Sequence, residues 1–89
     1  MTEAHVRLLG PVGFVTAEGR LVELPSATQR RLLAVLALAA GAALRPDHLA
    51  ETLGTSPGGL RTTLSRVRAR VGEQTIKTGA VGYHITCPV

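Results

Sequence analysis

The stretch Ser56-Pro57-Gly58-Gly59-Leu60-Arg61-Thr62-Thr63-Leu64-Ser65-Arg66-Val67-Arg68-Ala69-Arg70-Val71 decides how this chain is read. Leu60, Leu64, Val67 and Val71 recur at intervals of four, three and four residues, the stripe that one face of an α-helix buries. Ser56 stands at an N-cap, and Pro57 at the first helical position, where its missing N–H is not needed. Gly58 and Gly59 weaken that first turn by about 1 kcal/mol each relative to alanine. The spacing predicts a helix over 57–71, stopped at Gly72. At about 100° per residue, Thr62, Ser65, Arg66 and Ala69 fall opposite the apolar stripe. Arg61 and Arg68 run along one flank and Arg70 along the other.

Upstream of this helix, Pro46 opens a short helix over 46–53 that Gly54 closes. Before it, Ser26 and Gln29 match a capping box, in which each side chain satisfies the other's free backbone donor. They begin a first helix over 26–41, running from Ala27 to Ala40 and ending near Gly41. From Leu32 to Ala40 it is apolar on every side, the pattern of a central helix. His5–Leu9, Val12–Val15 and Leu21–Leu24 alternate apolar and polar residues, with Gly10-Pro11 and Thr16–Arg20 as turns. They predict a three-stranded antiparallel sheet within 5–24. Downstream, Thr75–Thr78 and Gly82–Thr86 alternate around Gly79-Ala80-Val81 and predict a hairpin over 75–86. The expectation is a single α+β domain over 1–89: an amino-terminal three-stranded antiparallel sheet, three helices and a carboxy-terminal hairpin. Two helices joined by a short turn, the second basic and followed by a hairpin, make a winged helix-turn-helix.

Composition narrows the function classes. Eighty-nine residues leave no room for a second core, and 45% apolar content suffices for one. One Phe, one Tyr and no Trp mean that leucine, valine and alanine must build it. A single cysteine, Cys87, excludes an internal disulfide and a cysteine-rich zinc site. The first residues lack an apolar signal stretch. The longest apolar run, Leu32–Leu44, has 13 residues against the roughly 20 that span a bilayer. These features predict a soluble cytoplasmic protein without membrane contact. The formal charge is +4. Over residues 1–55 five arginines meet five acidic residues, whereas over 56–89 Arg61, Arg66, Arg68, Arg70 and Lys77 face only Glu73. A one-sided basic surface favours a polyanionic partner.

The helix over 57–71 has what groove reading needs. Small residues let a helix enter the major groove, an arginine can donate two hydrogen bonds to a guanine edge, and flanking cations meet phosphates. Ser65-Arg66-Val67-Arg68, followed by Ile76-Lys77-Thr78 and Gly82-Tyr83-His84-Ile85, resembles the OmpR/PhoB-type winged helix. Val6-Arg7-Leu8-Leu9-Gly10-Pro11-Val12 and Gln29-Arg30-Arg31-Leu32-Leu33-Ala34-Val35-Leu36-Ala37 resemble more narrowly its SARP branch, the AfsR-type antibiotic regulatory proteins. The match covers about residues 5–88.

That resemblance implies a bacterial transcription regulator whose partner is double-stranded DNA, bound as monomers placed head to tail on direct repeats. It implies base contacts from Thr62, Ser65 and Arg66, and backbone contacts from Arg61, Arg68 and the wing. Arg70 is assigned to the backbone with them. It also implies RNA polymerase as a second partner, through the loop before the recognition helix. Three departures stand out. The Gly54–Gly59 connection is short and lacks the family's tryptophan. The wing tip Gly79-Ala80-Val81 has no basic residue, leaving Lys77 and His84 to reach the backbone. Arg45 occupies the place of a serine cap.

Other sites fall away. His5, His48 and His84 lack paired metal-ligand spacing. Gly54–Gly59 fails as a phosphate loop, because Leu60 stands where lysine is needed. No nucleophile elbow or zinc-protease motif occurs, and the acidic residues are scattered, so neither an enzyme nor a cofactor is expected. Tyr83 is expected to pack at the base of the wing, with its hydroxyl free to bond a phosphate. Cys87 is expected to be inert. A winged helix used as a protein-interaction module is the competing reading, and a large exposed apolar patch would favour it.

Overall fold

A computed structural model describes residues 4–8 and 12–86. Leu9, the Gly10-Pro11 turn and Cys87 lie outside the described residues. The order is β1 (His5–Arg7), β2 (Gly13–Val15), β3 (Leu21–Glu23), α1 (Ala27–Leu38), α2 (Pro46–Leu53), α3 (Pro57–Val71), β4 (Ile76–Thr78) and β5 (Tyr83–Ile85). This is the expected α+β layout of a winged helix-turn-helix.

β1, β2 and β3 form an antiparallel meander, with Val6 opposite Phe14 and Phe14 opposite Val22. Val6 and Phe14 are buried, so this face of the sheet covers the core. The β2–β3 turn closes through Thr16 and Arg20, whose backbone N–H groups and oxygens bond at 2.9–3.1 Å. Arg30 of α1 donates to the Leu24 carbonyl at 2.9 Å, tying the sheet's exit to the first helix.

Three expectations about α1 need correcting. The capping box is half made: Ser26 Oγ accepts from the Gln29 N–H at 3.1 Å, but the buried Gln29 Oε1 has no partner. Burial draws the Gln29 side chain towards the core instead of back to the cap. The helix also stops at Leu38, two residues short, because Ala40 (φ 53°) and Gly41 (φ 88°) turn left-handed. An alanine in that region costs roughly 1–2 kcal/mol. Nor is α1 enclosed all round. Leu32, Leu33, Leu36 and Ala37 are buried against α2, α3, β1 and β5, but Leu38 is 73% exposed.

The turn redirects the chain so that Leu44 pairs with Tyr83, in two backbone bonds of 2.8 and 2.9 Å. Sequence periodicity gives no sign of this pairing. It stitches the α1–α2 connection onto the edge of the terminal hairpin. Pro46 then opens α2, whose N-cap Arg45 makes no side-chain cap and instead pairs weakly with Asp47 in solvent.

α2 and α3 are joined by three residues, Gly54–Ser56. Gly54 sits left-handed (φ 66°), and the Thr55 N–H bonds the Ala50 carbonyl at 2.9 Å. Ser56 Oγ accepts from the Gly59 N–H at 3.0 Å, capping α3 as the sequence implies. Leu60, Leu64, Val67 and Val71 all face the core beside Leu32, Leu36 and Leu49. Below α3, Thr75 donates to the Val71 carbonyl at 2.8 Å and leads into the β4–β5 hairpin. Its register sets Ile76 opposite Ile85, Lys77 opposite His84 and Thr78 opposite Tyr83.

Candidate nucleic-acid interface

With its apolar stripe buried, α3 turns Arg61, Thr62, Ser65, Arg66, Ala69 and Arg70 to solvent. Among the described residues, Arg61, Arg66, Arg70 and Lys77 make no ion pair. Four cations therefore lie exposed without an ion-pair partner among the described residues. A helix of 15 residues is about 22 Å long. The outward side chains between the arginines are short, which allows the backbone to approach a groove floor. Thr62 donates its hydroxyl to the Gly58 carbonyl at 3.1 Å, so its exposed oxygen keeps lone pairs to accept with.

The hairpin stands beside α3 and encloses with it a groove of about 630 Å³. Arg61, Ser65, Arg68, Lys77 and Tyr83 line that groove, with Glu73 as its acidic member. Thr62, Arg66, Arg70 and His84 do not line it, so the sequence-assigned residues divide between an outer helix face and a cleft. Lys77 and His84 lie opposite each other on one face of the hairpin, while Thr78 and Tyr83 lie on the other with Ile76 and Ile85. Lys77 is exposed and His84 half-buried. Tyr83 packs its half-buried ring against the core, as expected at the base of the wing.

Arg68 has a position that sequence reasoning missed. It is half-buried and reaches across to the hairpin. Its Nε donates to the Ile76 carbonyl at 3.1 Å and an Nη to Thr78 Oγ1 at 2.9 Å. Its guanidinium carbon lies 5.8 Å from the centre of the Tyr83 ring. The available signal was its place on the flank of α3, eight and ten residues before its two partners.

At the hairpin tip the Gly79 N–H bonds the Gly82 carbonyl at 2.8 Å, and Val81 is 63% exposed. Leu38 and Val81 are the exposed large hydrophobics among the described residues, one at the end of α1 and one at the tip. Among the described residues no group of three or more His, Cys, Asp or Glu side chains could hold a metal ion. No helix there is long and apolar enough to cross a membrane. No protein-family model matches the chain, and no curated protein matches it significantly.

Proposed function

We propose that this chain is a sequence-specific double-stranded DNA-binding domain of a bacterial transcription regulator acting in the cytoplasm. In this reading α3 lies in the major groove and the hairpin on the backbone or minor groove. The observation that carries it is the outward face of α3, where open arginines flank Thr62, Ser65 and Ala69 and, among the described residues, none of them pairs with a carboxylate. Arg66, with Thr62 and Ser65, supplies base discrimination. Arg61, Arg70 and Lys77 displace counterions from phosphates, so affinity falls steeply with salt. The Tyr83 hydroxyl and His84 add backbone contacts from the wing, and copies bind in tandem on direct repeats. A contact to RNA polymerase through the α2–α3 turn would have only Gly54, Thr55 and Ser56 to use. The family resemblance supports this reading through the order and spacing of its motifs.

The test is selection from a random pool of short duplexes at roughly physiological salt. Recovery of a motif supports the proposal, and its spacing reports tandem binding. An unenriched pool favours the protein-interaction reading, for which Leu38 and Val81 are the exposed apolar handles.

A further inference from the structure

We infer that Arg68 acts on DNA through the wing: it is the positioning residue that braces the β4–β5 hairpin at a fixed offset from α3, not a phosphate contact. This rests on the DNA-binding reading for its effect on binding, and on the fold alone for the brace itself. Three observations converge. The guanidinium bonds two groups of β4, the Ile76 carbonyl and, two residues on, the Thr78 hydroxyl. It lies over the ring of Tyr83, which belongs to the other strand. Tyr83 is in turn held by two backbone bonds to Leu44. One side chain of α3 thus grips both strands of the hairpin, and the second strand is anchored independently behind it.

The neighbouring cations differ in kind. Arg61, Arg66, Arg70 and Lys77 are exposed, whereas Arg68 is half-buried and already directs donors to protein oxygens. Moving it to a phosphate would release the Ile76 carbonyl and the Thr78 hydroxyl together. A guanidinium is suited to the brace because its planar fork offers several donors in fixed directions, which an ammonium does not. With the hairpin fixed, Lys77 is carried at a set distance from Arg66, so one placement on the duplex satisfies both.

Two measurements test this. In the free protein, Arg68→Lys and Thr78→Val should speed amide exchange in residues 76–86 several-fold, while the buried amides of α1 exchange as before. Thr78→Val changes no charge and puts a strand-favouring residue on β4, so it remains informative should an Arg68 variant fold poorly. On a duplex, the slope of log affinity against log salt falls by about 0.9 for each phosphate that is no longer neutralised. Arg68→Lys keeps the charge but loses the fork, so the brace predicts a shallower slope. Lys77→Ala should flatten the slope by about the same amount. The double variant Arg68→Lys with Lys77→Ala should be no flatter than Lys77→Ala alone, because both act through one phosphate. The inference is overturned if Arg68→Lys keeps the parent slope and the parent exchange. It is equally overturned if Arg68→Met and Lys77→Ala flatten the slope additively, which is the signature of two separately neutralised phosphates. A parent protein that binds no duplex refutes the DNA reading instead, and the exchange measurement then decides the brace by itself.

Discussion

Gly82→Ala should detach the wing from the body of the domain, and the structure gives the size of the effect. A Cβ at Gly82 would collide with the Leu44 carbonyl oxygen, with the Leu44 carbonyl carbon 2.6 Å away and the Arg45 Cα 3.0 Å away. All three are backbone atoms, so no side chain can swing aside. Relief requires β5 to move off Leu44, which breaks the bonds at 2.8 and 2.9 Å between Leu44 and Tyr83. Each contributes a net ~0.5–1.5 kcal/mol, giving a loss of about 2 kcal/mol. For a domain of this size that lowers the thermal midpoint by roughly 8–16 °C. Gly79→Ala is the control, because the nearest atom to its Cβ is the Gly82 oxygen at 3.8 Å, an ordinary contact. There alanine should be neutral or stabilise by ~0.4–1 kcal/mol, through a less flexible unfolded chain. Thermal unfolding followed by circular dichroism, with amide exchange at Leu44 and Tyr83, reads both variants. Midpoints within about 2 °C of each other, with parent-like exchange at both amides, would refute the reasoning.

Three further outcomes are expected. Arg66→Ala should cost ~1–3 kcal/mol on a selected duplex and relax preference at one base position; equal weakening on all sequences, measured by competition binding, would make it a phosphate contact. Gln29→Met replaces a buried amide whose Oε1 has no partner with an apolar chain of similar shape. Removing that desolvated group should stabilise the domain by about 1 kcal/mol in urea unfolding, and a loss of stability would show that the amide is satisfied. Leu64→Ala, at a fully enclosed position on the inward face of α3, should cost about 2–5 kcal/mol in the same assay. A loss below about 1 kcal/mol would mean that α3 is not the packed centre described.

The helices were legible because their signals are local. Ser26 and Ser56 cap, Pro46 and Pro57 stand at first positions, and Gly54 closes α2, each through geometry that acts within four residues. The stripe Leu60, Leu64, Val67 and Val71 fixed which side of α3 is inward, and hence which side is open. What stayed hidden depends on distant partners. A one-residue pairing such as Leu44 with Tyr83 leaves no period in the sequence. The left-handed turn at Ala40 runs against alanine's helical preference and serves that pairing. A helix-flank arginine looks the same whether it enters solvent or crosses to a hairpin, so Arg68 is grouped with Arg61 until its partners are seen. The glycine at 82 reads only as the start of a strand, since a close backbone approach shows only in three dimensions.

In the proposed function, the outward face of α3 and the wing beside it meet duplex DNA. Mapping amide chemical shifts while a labelled protein is titrated with a mixed-sequence duplex at low salt tests it most directly. Shifts should concentrate over 61–70 and 77–84 and fade as salt is raised, with Leu38 and the amides of β1–β3 unmoved. Absence of shifts at low salt, or shifts centred on Leu38 and the sheet with α3 silent, would contradict it.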